Sequence, residues 1–337
     1  LILLRVNNKN SLILKEKTLD YIGRKKFLKK ELRTKEYTGK IIDIHAHIAY
    51  RQLYSQTFLA EVTKEFLIKG LLKKYVNSML DKVLSDFEGD RLIQQMDEAG
   101  IGKSVLLCTD FDFKKNDTPY SVREMHQLCL DQMRKHSDRF IAFAGVSPFR
   151  AADDYGIAAE YIEKYGFKGI KLYPPIGFEL TDDKLQKYYE LCNAYNLSVL
   201  IHTGPSVKGF LQISNYQKDV CFLANTYKKA KFVLAHAAIK DHKTGIRIAS
   251  TCENVFLDIS SYQNESQDKM ALKEKLDESL ETVPQKVIFG TDWPMYNFFV
   301  SQKSWVSLLE EILPEDEELR ASLFYKNAKY ILENTLR

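Results

Sequence analysis

The sequence predicts an α/β protein, a (β/α)8 TIM barrel, from two observations. Eight short runs rich in Val, Ile, Leu and Phe recur along the chain, and such continuous apolar runs are typical of strands buried on both faces. Between them lie segments with apolar residues at three- and four-residue steps, which is the pattern of amphipathic helices. Eight strand–helix units over roughly 270 residues match one barrel, and no glycine-rich dinucleotide motif favours the alternative, an open doubly wound sheet.

The predicted strands cover residues 41–45, 104–109, 140–146, 169–173, 198–202, 231–236, 254–259 and 286–292. The predicted helices cover residues 90–99, 120–135, 153–164, 217–229, 240–251, 267–280 and 301–313, with one more beginning at about Leu185 after the capping run Thr181-Asp182-Asp183. Because each helix serves as a crossover between neighbouring strands, the sheet is expected to be parallel.

Three segments fall outside this repeat. Residues 1–40 are expected to form an N-terminal extension, and residues 41–337 the barrel domain. Residues 50–88 form an insertion after the first strand, where a long loop could act as a lid over the site. Residues 315–336 are expected to form helices that pack on the outside of the barrel, through Leu319, Leu323, Phe324, Ala328 and Ile331.

Composition narrows the classes of function. The chain has 337 residues, 45% of them apolar and 28% charged, so it is not of the disordered or fibrous type. A net charge of +4 gives no reason to expect a nucleic-acid partner, and no run reaches the roughly 20 apolar residues that span a bilayer. Five cysteines without close spacing suit reduced thiols and a cytoplasmic location. We therefore expect a small-molecule substrate.

Polar residues at the ends of the predicted strands carry the functional signal. His45 and His47 close the first strand, His202 the fifth, His236 the sixth and Asp292 the eighth. The C-terminal ends of barrel strands converge on one face, where barrel enzymes place their sites. Residues two apart on a strand point the same way, so His45 and His47 can reach one ion together. With His202 and Asp292 they form a set that Zn²⁺ and similar divalent metals bind.

Further residues near the strand ends have more than one candidate role. His236 is expected to face a metal-bound water, or else to orient a ligand. Lys171, at the end of the fourth strand and facing the same way as Tyr173, must pair with an acid, bind a substrate carboxylate or be carbamylated, and a carbamate would allow a second metal. Substrate binding or an acid partner is the preferred interpretation. Asp258 and Ser260, near the end of the seventh strand, are weaker candidates for the site.

Together these motifs resemble the amidohydrolase superfamily, and its amidohydrolase-2 branch above all. That branch includes aminocarboxymuconate semialdehyde decarboxylase and related decarboxylases, hydratases and lactonases. The resemblance rests on HAH after the first strand, KGIKLYP, IHTG, LAHA and FGTDWP, in this order. It implies a divalent metal, commonly Zn²⁺, held at His45, His47, His202 and Asp292, with His236 assisting the metal-bound water. One departure is Ala238 after His236-Ala237, because family members often have glycine shortly after this histidine.

Two reactions follow from the resemblance. The first expectation is hydrolysis of an amide, ester or lactone, with Asp292 and His236 as catalytic residues and Lys171 and Tyr173 holding a substrate anion. The alternative is non-oxidative decarboxylation of an aromatic or unsaturated carboxylic acid. A binding protein without activity is the remaining option from another class. Similar proteins are often homodimers, but no interface can be read from the sequence.

Overall fold

The structure, a computed structural model, describes residues 41–68, 70, 72–111, 118–211, 216–297 and 299–333. The expected N-terminal extension, residues 1–40, lies outside the described residues. Within the described ranges, no helix combines the length and the apolar character needed to cross a membrane.

The strands confirm the predicted barrel. In chain order they are β1 (Ile41–Ala46), β2 (Ala49–Tyr50), β3 (Ser85–Asp86), β4 (Ile101–Leu107), β5 (Phe140–Val146), β6 (Gly169–Leu172), β7 (Ser198–His202), β8 (Lys231–Ala235), β9 (Val255–Asp258) and β10 (Val287–Ile288). Among the described residues, eight of them form one parallel sheet in the order β1-β4-β5-β6-β7-β8-β9-β10. Strands β7 and β8 are buried throughout, as expected for strands covered on both faces.

The barrel closes between its last and first strands. Strand β10 is shorter than the predicted run, because the chain leaves regular strand geometry after Ile288. The Ile44 amide still donates to the Phe289 carbonyl at 3.1 Å, and the Asp292 amide to the His45 carbonyl at 2.8 Å. Asp292 is therefore fixed directly beside His45 by the backbone that joins the two edges.

The helices lie close to their predicted positions. They are α1 (Gln56–Ile68), α2 (Lys73–Val83), α3 (Asp90–Ala99), α4 (Val122–Lys135), α5 (Ala151–Glu163), α6 (Gln186–Ala194), α7 (Tyr216–Thr226), α8 (His242–Thr251), α9 (Lys269–Thr282), α10 (Gln302–Ile312), α11 (Glu317–Ala321) and α12 (Asn327–Glu333). Helix α4 begins with a capping box between Ser121 and Glu124, which satisfies free amides at the helix start and delays it past Tyr120.

The insertion after β1 is a folded unit. It contains α1 and α2, and the antiparallel pair of β2 with β3 joins its two ends at the base. Helix α1 packs on the barrel mouth, since Phe58 is buried against Phe111 with ring centroids 4.5 Å apart. The insertion therefore covers the face that carries the predicted site.

The C-terminal tail forms helices as predicted, and the predicted contact residues Leu323, Phe324, Ala328 and Ile331 are buried. A π-helical turn, Ser322–Lys326, precedes α12. The Phe289 amide beside β10 donates to the Leu323 carbonyl at 3.1 Å, and Ser198 at the start of β7 donates to the Ile331 carbonyl at 3.1 Å. Because β10 and β7 lie in different parts of the barrel wall, the tail crosses the N-terminal end of the barrel. Ala328, Ile331 and Leu332 join the core cluster, so this segment closes the end opposite the site.

Candidate metal and substrate site

The structure brings the predicted site residues together at the C-terminal end of the barrel. All are buried, with exposed fractions of 9% or less. The ligand atoms of His45, His236 and Asp292 lie within 4.8 Å of one another. The residues concerned are His45, His47, Lys171, Tyr173, His202, His236 and Asp292.

Three of these side chains point electron pairs at a common centre. The Nε2 atoms of His45 and His47 lie 3.2 Å apart, and Oδ1 of Asp292 lies 3.3 Å from the first and 3.1 Å from the second. Nδ1 of His45 faces an Asp258 carboxylate oxygen at 2.6 Å, and Nδ1 of His47 faces the Leu107 carbonyl at 3.1 Å. Since both partners accept, both Nδ1 atoms carry the proton and both Nε2 atoms carry lone pairs.

This geometry fits a divalent cation. Ligand atoms at about 2.0–2.2 Å from one ion are separated from each other by about 3.0–3.5 Å, which matches the three distances above. Burial lowers the pKa of His45 well below the ordinary histidine value, so the imidazole is neutral, as a metal ligand must be. His45, His47 and Asp292, called the lone-pair trio below, could hold a metal.

Asp258 orients His45 from behind. Its Oδ2 accepts from His45 Nδ1 at 2.6 Å and from the Ser260 hydroxyl at 2.8 Å, and its Oδ1 accepts from the Ser260 amide at 2.7 Å. A carboxylate behind a ligand histidine is the arrangement that fixes ring tautomer and basicity in metal sites. Sequence reasoning ranked Asp258 low. Its position at the end of β9, on the same face as the other site residues, was the available signal.

His236 and His202 form the second half of the site. His236 Nε2 lies 3.1 Å from His202 Nδ1, while His236 Nδ1 faces the Ser261 hydroxyl at 2.8 Å. His202 Nε2 is buried without a hydrogen-bond partner among the described residues. His202 therefore contacts the trio through His236, and its free nitrogen remains available to a ligand. Burial lowers the pKa of His236 to about 3, so this imidazole is neutral.

The backbone at His236 is unusual. His236 and Ala237 adopt φ of +65° and +38°, in the left-handed region that favours glycine. The family departure noted above therefore falls next to a real left-handed turn, which this chain forms without glycine. Gly204 leaves room for the His236 side chain, because a Cβ there would lie 2.6 Å from His236 Cδ2.

Lys171, on β6, is buried with 2% of its surface exposed. Its Nζ atom has no hydrogen-bond partner among the described residues. Burial lowers the pKa of Lys171 to about 8, while Asp292 and Asp258 oppose the shift. A buried amine without a direct partner costs stability unless it acquires an anion.

Aromatic side chains cover the site. The Tyr173 ring centroid lies 4.7 Å from that of His202 and 5.0 Å from that of Phe111. A small cavity lined by His47, Leu107, Thr109, Tyr54 and Phe111 joins this layer to the trio. The layer, called the aromatic roof, comes from the insertion after β1 and from the loops after β4, β6 and β7. It comprises Tyr54, Phe58, Phe111, Tyr173 and Phe210.

A comparison with protein-family models shows which family the chain belongs to. The family model described as Amidohydrolase, Amidohydro_2, matches residues 42–333. The chain belongs to the amidohydrolase family. The motifs that carried the resemblance lie within the matched range.

Solved structures with the same fold are similar to this amidohydrolase at low sequence identity. A probable 2-pyrone-4,6-dicarboxylic acid hydrolase from Acinetobacter baumannii is 15% identical, with a TM-score of 0.59 over 88% of this chain and 100% of its own. A 5-carboxyvanillate decarboxylase from Novosphingobium aromaticivorans, complexed with manganese, is 15% identical, with a TM-score of 0.59 over 88% and 97%. A 4-oxalomesaconate hydratase from Rhodopseudomonas palustris is 19% identical, with a TM-score of 0.54 over 87% and 96%. No curated protein matches the sequence.

Proposed function

We propose that this protein is a metal-dependent lyase that removes CO₂ from a small aromatic or unsaturated carboxylic acid without oxidation. The observation that carries the proposal is the buried amine of Lys171, which lies beside the lone-pair trio and beneath the aromatic roof. It has no hydrogen-bond partner among the described residues. An amine in such a place attracts a carboxylate, and flat aromatic walls suit a planar carbon skeleton. Decarboxylases of aromatic acids recur among the structurally similar proteins, which supports this reaction.

We propose His45, His47 and Asp292 as metal ligands, with His202 as the fourth. The donor set suits Zn²⁺ or Mn²⁺, and manganese is the ion in the similar decarboxylase. A bound divalent ion would hold substrate oxygens and neutralise the negative charge on them. One ion per chain is proposed, because the three ligand atoms of the lone-pair trio surround a single centre.

The chain's own residues would position the substrate and move one proton. Lys171 and Tyr173 would hold the anion, and the roof would exclude water. Asp292 Oδ2, the oxygen outside the trio, and the neutral imidazole of His236 are the groups that can carry a proton to the substrate carbon. Once that proton has arrived, the bond to the carboxylate breaks and its electron pair returns to the unsaturated system as CO₂ leaves.

The test measures CO₂ and the origin of the new hydrogen. Protein loaded with Zn²⁺ or Mn²⁺ is incubated in D₂O with hydroxylated benzoates and unsaturated dicarboxylic acids. We expect CO₂ release with one deuterium on the carbon that carried the carboxylate, and about a hundredfold or greater loss of rate in His47→Ala, because a proposed ligand is removed. Turnover of lactones or esters alone, with no CO₂ from any acid, would contradict the proposal.

Hydrolysis is the second candidate, and His236 is the observation in its favour. Its imidazole lies within 4.8 Å of the ligand atoms of His45 and Asp292, where it could orient a water or deprotonate it. The probable 2-pyrone-4,6-dicarboxylic acid hydrolase among the similar structures supports this reaction. Incubation with lactones in H₂¹⁸O distinguishes the two, since hydrolysis alone places ¹⁸O in the product carboxylate.

A further inference from the structure

The outer layer of the barrel contains a pair of thiols that the proposed function does not use. Sγ of Cys221, on α7, lies 3.6 Å from Sγ of Cys252, directly after α8. All five cysteines are free thiols. Thirty-one positions separate this pair in sequence, so spacing alone does not reveal it.

The packing of the two helices holds the thiols against each other. On the same interface Arg247 of α8 donates to Gln217 of α7 at 3.0 Å, and Gln217 lies one helical turn before Cys221. The ammonium of Lys286 donates to the Cys252 carbonyl at 2.8 Å and so fixes the backbone at the end of α8. A disulfide needs an S–S distance of about 2.05 Å, so the sulfurs must approach by about 1.5 Å, within reach of side-chain rotation.

The two thiols differ in access. Cys252 is buried with 4% of its surface exposed, whereas Cys221 is only partly buried. A small reagent in solution can therefore reach Cys221 first, and Cys252 is placed to resolve the product. Burial raises the pKa of Cys252 to about 11, with the neighbouring Cys221 contributing. Cys252 therefore stays protonated and is not the first thiol to attack.

We propose that Cys221 and Cys252 form a reversible intramolecular disulfide, and that this helix pair is a modification site for small disulfides of the glutathione type. In the first step the Cys221 thiolate attacks one sulfur of oxidised glutathione, forms a mixed disulfide and releases one glutathione thiolate. In the second step Cys252 loses its proton and attacks the Cys221 sulfur, and the second glutathione leaves. The two protein thiols are oxidised, and one disulfide is reduced to two thiols.

The bridge would join two elements that position site residues. Helix α7 follows β7, which ends at His202, and α8 follows the turn that begins at His236. A covalent link across this interface restricts the unfolded chain and raises thermal stability. The proposal stands on the helix pair alone and does not depend on the metal or on the reaction.

The experiment treats the full-length protein with oxidised glutathione and maps the products by mass spectrometry. We expect a cross-linked peptide containing Cys221 and Cys252, no retained glutathione, a midpoint of thermal unfolding raised by about 3 °C or more, and full reversal by dithiothreitol. Cys252→Ser should stop at a stable glutathione adduct on Cys221. Cys192→Ser is the matched control, because Cys192 is buried on α6, and it should behave as wild type.

A second thiol pair makes the test sharper. Cys108 and Cys129 interact with each other but are both buried, so they should stay reduced under the same conditions. A glutathione adduct that persists on wild-type Cys221, or no reaction in excess reagent, would overturn the proposal. The peptide map of the wild-type protein shows whether the Cys221–Cys252 disulfide forms, even if a serine variant fails to fold.

Discussion

At the scale of single residues, Lys171 shows how a site can oppose stability. Its buried amine has no hydrogen-bond partner among the described residues, and we expect Lys171→Met to raise the free energy of unfolding by about 1 kcal/mol, because a desolvated charge is replaced by an apolar chain of similar length. The same variant should raise KM for an anionic substrate about tenfold or more. Denaturant unfolding and steady-state kinetics measure the two effects. A less stable Lys171→Met would show that the amine is paired.

The titration of Lys171 gives a second expectation. Burial lowers the pKa of Lys171 to about 8, so the amine is charged below that pH and loses its charge above it. If the charged amine binds the substrate anion, kcat/KM should fall as the pH rises through about 8, since this ratio reports the free enzyme. Lys171→Arg should shift the fall to higher pH, because guanidinium stays protonated. A profile flat to pH 10 in wild type would contradict this role.

Gly204 determines where the His236 ring can lie. A Cβ at Gly204 would lie 2.6–2.9 Å from three atoms of His236, closer than carbon atoms approach. Gly204→Ala should therefore displace the imidazole and lower kcat by about tenfold or more, while metal content is retained if His236 is not a ligand. Gly156→Ala is the control, because Gly156 lies in helix α5 with open space around it. Unchanged kcat in Gly204→Ala would exclude a precise requirement for His236.

At the scale of elements, the sequence predicts the strands and helices whose pattern of apolar residues is local. Buried strands such as β7 and β8 are continuous apolar runs, and helix α3 matches its predicted bounds of 90–99. The apolar face of the C-terminal tail is also predicted, through Leu323, Ala328 and Ile331. An amphipathic helix does not show, however, which surface covers that face. Hydrogen bonds from Phe289 to Leu323 and from Ser198 to Ile331 are long-range contacts that no local pattern encodes.

The aromatic roof makes helix α1 a testable element. Phe58 contacts Phe111 and Phe210 at ring-centroid distances of 4.5 and 5.7 Å, so it anchors α1 to two barrel loops. Phe58→Ala should remove these contacts, speed amide hydrogen exchange across Gln56–Ile68 and leave exchange in the barrel strands unchanged. Phe222→Ala is the control, because this ring is 58% exposed. It should leave hydrogen exchange unchanged in both α1 and the barrel strands. Equal exchange in α1 of wild type and Phe58→Ala would show that the roof does not hold this helix.

At the scale of the whole molecule, barrel closure assembles the site from distant parts of the sequence. His45 and Asp258 are 213 positions apart and yet share a 2.6 Å contact. Motif order and strand parity were sufficient to predict that His45, His47 and Asp292 converge. They could not give the proton positions on the imidazoles, the Asp258 contact or the indirect position of His202, because these depend on side-chain geometry across the closed barrel.

Metal binding should therefore act on the stability of the whole barrel. An ion at the lone-pair trio would bind the folded chain alone, because the trio exists only after β10 meets β1. At an ion concentration 100-fold above Kd this linkage is worth about 2.7 kcal/mol. We expect a chelator to lower the midpoint of thermal unfolding, and added Zn²⁺ or Mn²⁺ to restore it.

Asp258→Asn isolates the contribution of the group behind His45. The amide has the shape of the carboxylate but carries no charge, so we expect metal affinity to fall about 10- to 100-fold. The metal-induced rise in the unfolding midpoint should shrink at limiting metal and recover in excess metal. Asp277→Asn is the control, because its carboxylate pairs only with Lys273 on the helix surface in the described chain. If Asp258→Asn and wild type took up metal with the same affinity, the ion would bind elsewhere, because the ring that Asp258 orients would not be a ligand.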